Sequence, residues 1–194
     1  MMTDAPAARG ARVDVLLTGS LGPTVRSTCT LVRDGALVAV IDPGLAPSQA
    51  AILDPLAALG LSPGDVNTVI LSHHHPDHTI NAALFPDAAV HDHWAIYRGD
   101  DWQSRECEGE DLSPSVRLIR TPGHSAADMS TVIGSPDGVV VATHLWWTAD
   151  GPADDPYSPD RDELRRSRER VLALADLIIP GHGEPFRPAA STPR

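Results

Sequence analysis

Four of the chain's nine histidines fall in Ser72-His73-His74-His75-Pro76-Asp77-His78, directly after the apolar run Val66 to Leu71. Imidazole and carboxylate are ligands for divalent metals, and a metal held by them activates water for hydrolysis. If the loop is extended, His73 and His75 alternate onto one side and can converge on one ion. Asp77 and His78 then face a neighbouring point as the chain turns into a helix, so that one loop can serve two ions. His124, in Thr121-Pro122-Gly123-His124-Ser125, and His182, in Pro180-Gly181-His182-Gly183, also sit in tight turns just after apolar strands. Glycine there lets the backbone approach an ion closely. A lone histidine is usually a hydrogen-bonded imidazole, but four beside a carboxylate at a strand end are poorly explained that way. His74 points away from His73 and His75 in an extended loop, which suits an exposed or supporting role. In His91-Asp92-His93, alternation puts the histidines on one face and Asp92 on the other, which favours a pocket-edge or structural role over a second metal patch.

Such ligands need a rigid frame, and the rest of the chain reads as one. Val13 to Leu17, Thr28 to Val32 and Ala36 to Ile41 read as a β meander, separated by Gly-Pro and Asp-Gly turns. Ser48 to Leu59 reads as a helix that Pro55 should kink or shorten. Val66 to Leu71, Ala88 to His91, Val116 to Arg120, Met129 to Ile133, Val139 to Ala142 and Leu177 to Ile179 read as further strands, with a short helix at Asn81 to Leu84. The clearest helix begins at Ser158-Pro159, where Ser caps and acidic residues follow, and runs to about Leu174. Its Arg165-Arg166-Ser167-Arg168-Glu169-Arg170 run reads as a solvated face paired with Asp162 and Glu163. Trp146 and Trp147 read equally well as a wall over a substrate or as core packing.

Composition bounds the function. At 194 residues the chain suits one domain, placed at 13–187 between a flexible lead (1–12) and a tail (188–194). The net charge is −11 and all fifteen basic residues are Arg, so no broad basic face gathers a long nucleic acid, and such a partner is disfavoured. No stretch is apolar enough to span a bilayer and the first residues lack a secretory apolar region, which leads to the expectation of a cytoplasmic protein with no membrane partner. Cys29 and Cys107 read as free, unreactive thiols, the second inside the acidic stretch Glu106 to Glu110.

The HxHxDH pattern at His73 to His78, the lone His124, the Gly-His-Gly at His182 and Asp42 in Ile41-Asp42-Pro43-Gly44 resemble the metallo-β-lactamase superfamily from about residue 13 to 187. Within it, Ser167 to Val171, Ala175-Asp176 and Pro180 to Phe186 are similar to the metallo-β-lactamase domain-containing protein 1-like group. The resemblance implies an α/β (α+β) four-layer αβ/βα sandwich. It implies one metal site from His73, His75 and His124, a second from Asp77, His78 and His182, and Asp42 as a brace for the ligand loop. One departure stands out. Where the superfamily normally has a Gly-Asp whose carboxylate bridges two ions, this chain has Thr143-His144. A neutral imidazole offers one lone pair and ligates only one ion. The alternatives are His144 on one ion, which is favoured, one empty site, or Asp150, Asp154 or Asp155 swinging in.

The expected activity is that of a metallohydrolase, with a metal-bound hydroxide attacking a small ester, lactone, thioester, amide or phosphodiester and Asp77 orienting it and shuttling its proton. Zinc is the first choice, as one or two ions, with iron or manganese compatible with a thiolate-free donor set. An iron oxidoreductase and a catalytically silent metal-binding module are the alternatives. An endoribonuclease, an activity associated with the similar group, is disfavoured by the acidic balance. With one carboxylate missing, one ion should bind much more weakly than the other. Metal titration with elemental analysis checks this, and two equally tight ions would contradict it.

Overall fold

A computed structural model describes residues 4–194. Seven strands form one sheet in chain order: β1 (Arg12–Leu17), β2 (Cys29–Asp34), β3 (Leu37–Ile41), β4 (Thr68–Ile70), β5 (Ala89–His91), β6 (Ala95–Arg98) and β7 (Asp101–Ser104). The second sheet contains β8 (Glu110–Ser113), β9 (Val116–Arg120), β10 (Met129–Ser135), β11 (Gly138–Ala142) and β12 (Leu177–Ile179), in the order β12-β11-β10-β9-β8. Pairing is antiparallel except for β3–β4, β4–β5 and β11–β12.

Period-two alternation sets the layers. Val32, Ala39, Ile41 and Ile70 of the first sheet meet Leu118, Ile133, Val140, Ala142 and Ile179 of the second in a shared core. Their neighbours Leu31, Val40 and Val69 face outward and are covered by Ile52 and Leu56 of α1 (Ala50–Ala58). On the other side Val132, Val139, Val141 and Ile178 are covered by Leu164 and Val171 of α3 (Arg161–Leu172). The result is helix, sheet, sheet, helix, the four-layer sandwich that the family resemblance implies.

Several elements differ from their sequence reading. Strands β6, β7 and β8 were not anticipated. β7 is exposed along its whole length, so it carries no apolar alternation, and only the two-residue Gly99-Asp100 turn between Arg98 and Asp101 signals the hairpin. α1 is shorter than Ser48 to Leu59 and keeps Pro55 inside it. α3 begins after Asp160 rather than at Ser158, because Asp160 Oδ1 accepts from the N–H groups of Asp162 (2.9 Å) and Glu163 (3.0 Å). Cys29 and Cys107 are free and buried. Burial, more than the acidic neighbours, pushes the Cys107 thiol up to about 11. No helix among the described residues is long and apolar enough to cross a membrane.

The arginine run is not a uniformly solvated face. Arg165 pairs with Asp162 and Arg170 with Asp4 and Glu108, but Arg168 is fully buried. Its Nε donates to Leu145 O (2.9 Å), Nη1 to Ala153 O (2.8 Å) and Nη2 to Pro152 O (2.7 Å), with its guanidinium over the Trp146 ring. Sequence spacing shows only where a helical residue points, not that a loop lies across it. One guanidinium thus ties the start of the loop after β11 to its middle. Replacing Arg168 with Met removes all three hydrogen bonds and should cost about 3 kcal/mol. Thermal denaturation should register this as a fall of roughly 10 °C in Tm.

Candidate metal centre

Three histidines lie in the loop between β4 and α2 (Pro76–Thr79), with His75 just before the helix and Pro76 in its first turn, and the fourth, His78, is inside it. His124 follows β9, His144 follows β11 and His182 follows β12, all from the second sheet. The structure brings His73, His75, Asp77, His78, His124, His144 and His182 together at this edge. Their donor atoms fall into three groups: His73, His75 and His124; Asp77, His78 and His182; and His73, His78 and His144.

Four of the rings, His73, His78, His124 and His182, are oriented from behind. Asp42 is buried, with its backbone in the left-handed region (φ 49°), a conformation that aspartate tolerates better than most residues. Its Oδ1 accepts from Ser72 N (2.7 Å), and its Oδ2 accepts from Ser72 Oγ (2.6 Å) and His78 Nδ1 (2.8 Å). Because the Ser72 hydroxyl hydrogen is committed to Asp42, Ser72 Oγ accepts from His73 Nδ1 (3.0 Å). His124 Nδ1 donates to Asp155 Oδ2 (2.8 Å) and His182 Nδ1 to Arg26 O (3.0 Å). These partners can only accept, so each of these four rings, when neutral, carries its proton on Nδ1 and its lone pair on Nε2.

Four Nε2 lone pairs therefore point inward with little to receive them. Those of His73 and His124 both lie 3.0 Å from His75 Nδ1, which has at most one proton to give. The Nε2 of His78 is buried without a hydrogen-bond partner, and that of His182 lies 3.0 Å from His144 Nε2. Burial, reinforced by neighbouring imidazoles, holds His73 and His144 well below the usual histidine range, and His75 and His182 are lowered mainly by burial too. Neutral rings with converging lone pairs are a donor set that fits a divalent cation.

Asp77 adds the one carboxylate among these seven residues, with Oδ2 3.4 Å from His78 Nε2 and 3.6 Å from His182 Nε2. His144 stands in the middle, its ring centroid 4.2 Å from that of His124, 4.5 Å from His73, 4.7 Å from His78 and 5.0 Å from His182. Asp155 does not swing toward these rings from the front but buttresses His124 from behind, while also accepting from Trp147 Nε1 (2.9 Å). Asp150 is exposed, and Asp154 is exposed and near Arg161. The supporting roles of Ser72, Asp155 and the Arg26 carbonyl escaped the sequence reading. They rest on which nitrogen a distant acceptor reaches, which residue types do not encode.

The glycines act by making room for protein. A Cβ on Gly44 would lie 1.6 Å from Asp77 O, so only glycine lets the Asp42 loop close against the ligand loop. A Cβ on Gly181 would lie 2.3 Å from the His144 ring, and one on Gly123 would meet Leu145 and Leu164. The two tryptophans divide the roles that sequence left open. Trp146 is fully buried against the second sheet and donates to Pro193 O, whereas Trp147 lines a cavity over the histidines. That cavity, about 300 Å³, is walled by Leu21, Val25, Trp147 and Tyr157 and floored by His75, Asp77, His124, His144 and His182. A larger cleft of about 800 Å³ lies between β1 and β12, lined by none of these seven residues.

Residues 22–106 match the family model of the metallo-beta-lactamase superfamily. The chain is 38% identical over 157 residues to human metallo-beta-lactamase domain-containing protein 1, covering 76% of this chain but 59% of that protein's length. It is 35% identical to the rat protein of the same name over 202 residues, covering 95% of this chain and 80% of the relative. Among solved structures, a candidate metallo-beta-lactamase of Thermotoga maritima superposes with a TM-score of 0.73 at 20% identity, covering 92% of this chain and 100% of that one. A quorum-quenching N-acyl homoserine lactone lactonase superposes with 0.62 at 21% identity, covering 92% and 90%. With its fold and histidine loops in view, this chain belongs to the metallo-β-lactamase superfamily.

Proposed function

We propose that the protein is a metal-dependent hydrolase of small uncharged acyl compounds, esters or lactones, with zinc as the first-choice metal. The observation that carries this reading is the set of Nε2 lone pairs turned inward beneath an apolar-walled cavity that also exposes Asp77. His73, His75 and His124 would hold one ion, and Asp77, His78 and His182 a second. A cation bound there supplies Lewis acidity, lowering the pKa of water and drawing charge from a carbonyl oxygen.

The chain's own groups supply the rest. Asp77 is partly open to the cavity and accepts a proton from water approaching the floor. Leu21, Val25, Trp147 and Tyr157 exclude water from one side and favour an apolar substituent on the substrate. The cavity lining includes no arginine, and the chain has no lysine, so no cationic side chain meets a phosphodiester there. His144 offers its one lone pair to a single ion, which leaves the pair of sites unequal.

A panel of chromogenic esters, lactones and bis-phosphodiesters, assayed with Zn, Mn and Fe, tests the reading. Turnover should favour the uncharged acyl substrates, and Asp77→Asn should lower kcat by about 100-fold or more. Full turnover by that variant would contradict the role given to Asp77. His144→Asp, which adds a second carboxylate among the rings, should raise affinity for the weaker ion.

The metal-free protein should also be acid-sensitive. Above the ordinary histidine value of 6.5 both folded and unfolded states are neutral at these rings. As pH falls below that value, the unfolded chain takes protons that buried His73 and His144 refuse, so stability falls until their depressed folded values are reached. Urea denaturation of chelator-treated protein should show lower stability at about pH 5.5 than at about pH 7.5.

A further inference from the structure

The ligand loop has an outer face that the candidate centre does not use. His74 turns away from His73 and His75, its side chain 44% exposed, with Nε2 3.0 Å from Asp92 Oδ2. Asp92 is buried at the turn from β5 into β6. Its Oδ1 accepts from Trp94 N (2.9 Å) and Ala95 N (2.8 Å), and its Oδ2 also accepts from Tyr97 Oη (2.6 Å). His93 packs on Trp94 with ring centroids 4.5 Å apart and lies 5.6 Å from the His74 ring. The alternation expected for His91 and His93 ends because β5 stops at His91. It is His74, from the other loop, that joins His93 and Asp92.

We infer that His74, Asp92 and His93 form a separate site for a divalent transition metal, with zinc as the best-suited ion and water completing its coordination. One ligand atom from each of the three lies within 4.8 Å of the other two. Tetrahedral zinc holds such atoms about 3.3 Å apart, given bonds of about 2.0–2.1 Å. The exposed His74 side chain can close that difference by a rotamer adjustment.

A turn-capping network without metal accounts for Asp92 and for its contact with His74. It does not account for His93, whose Nδ1 is buried with no hydrogen-bond partner. An ion bound through Nδ1 would give that nitrogen a partner, and Tyr97 already steadies the Asp92 carboxylate from behind. Bound there, the ion would tie the loop bearing His73 and His75 to the β5–β6 turn.

Chelator-treated protein dialysed against micromolar zinc and then analysed for metal tests the inference. The wild type should hold one ion per chain more than His93→Ala. A readout on the unaltered protein guards against misfolding of the variant: zinc should shift the ring-nitrogen NMR signals of His74 and His93. Equal ion counts in folded wild type and variant, or His93 signals unmoved by saturating zinc, would overturn it.

Discussion

Buried imidazoles that are neutral and turned lone pair to lone pair have no good hydrogen-bonding solution of their own. Four of the rings, His78, His73, His124 and His182, give the Nδ1 proton to Asp42, Ser72, Asp155 and the Arg26 carbonyl on the outer side. The inner nitrogens must then share protons they do not have, or share a cation. Burial closes the other escape, because protonating His73 or His144 would place charge where water does not reach. The site is thus defined as much by its outer acceptors as by its donors.

The rest of the fold serves that constraint. Two sheets pressed together by outer helices place the ends of β4, β9, β11 and β12 at one edge, where loops from both sheets meet. Asp42 ties the first sheet's ligand loop down, and Gly44 lets it close against Asp77. Arg168 pins the loop after β11, which carries Trp147 to the cavity wall and Asp155 to the back of His124. The positions that position donors are therefore also positions of stability. His144 stands among four other rings, which leaves Asp77 as the one carboxylate within this group.

Most of the frame was legible because apolar alternation survives burial on both faces of each sheet. Leu31-Val32, Val132-Ile133 and Ile178-Ile179 each send one side chain to the shared core and one to a helix. What was not legible had no such pattern. The exposed β7 looked like loop, and Arg168 looked solvated because its three carbonyl partners belong to residues 15 to 23 positions away. The inner histidines and Asp77 were legible as a group from residue type and their place after strands. The outer ones were not, since Asp155 and Ser72 are ordinary polar residues until the fold sets a ring nitrogen against them. His74, His93 and Asp92 fall between the cases: their types were suggestive, but only the fold shows that His74 rather than His91 completes the group.

X-ray absorption at the zinc edge, recorded on zinc-loaded His93→Ala protein so that the outer group is silent, reads whether the inner imidazoles hold the ion. The first shell should be nitrogen and oxygen at about 2.0–2.2 Å with strong imidazole scattering, weakened when His75 and His124 are also replaced by Ala. Zinc bound without imidazole scattering, or no zinc retained by a folded protein, would contradict it.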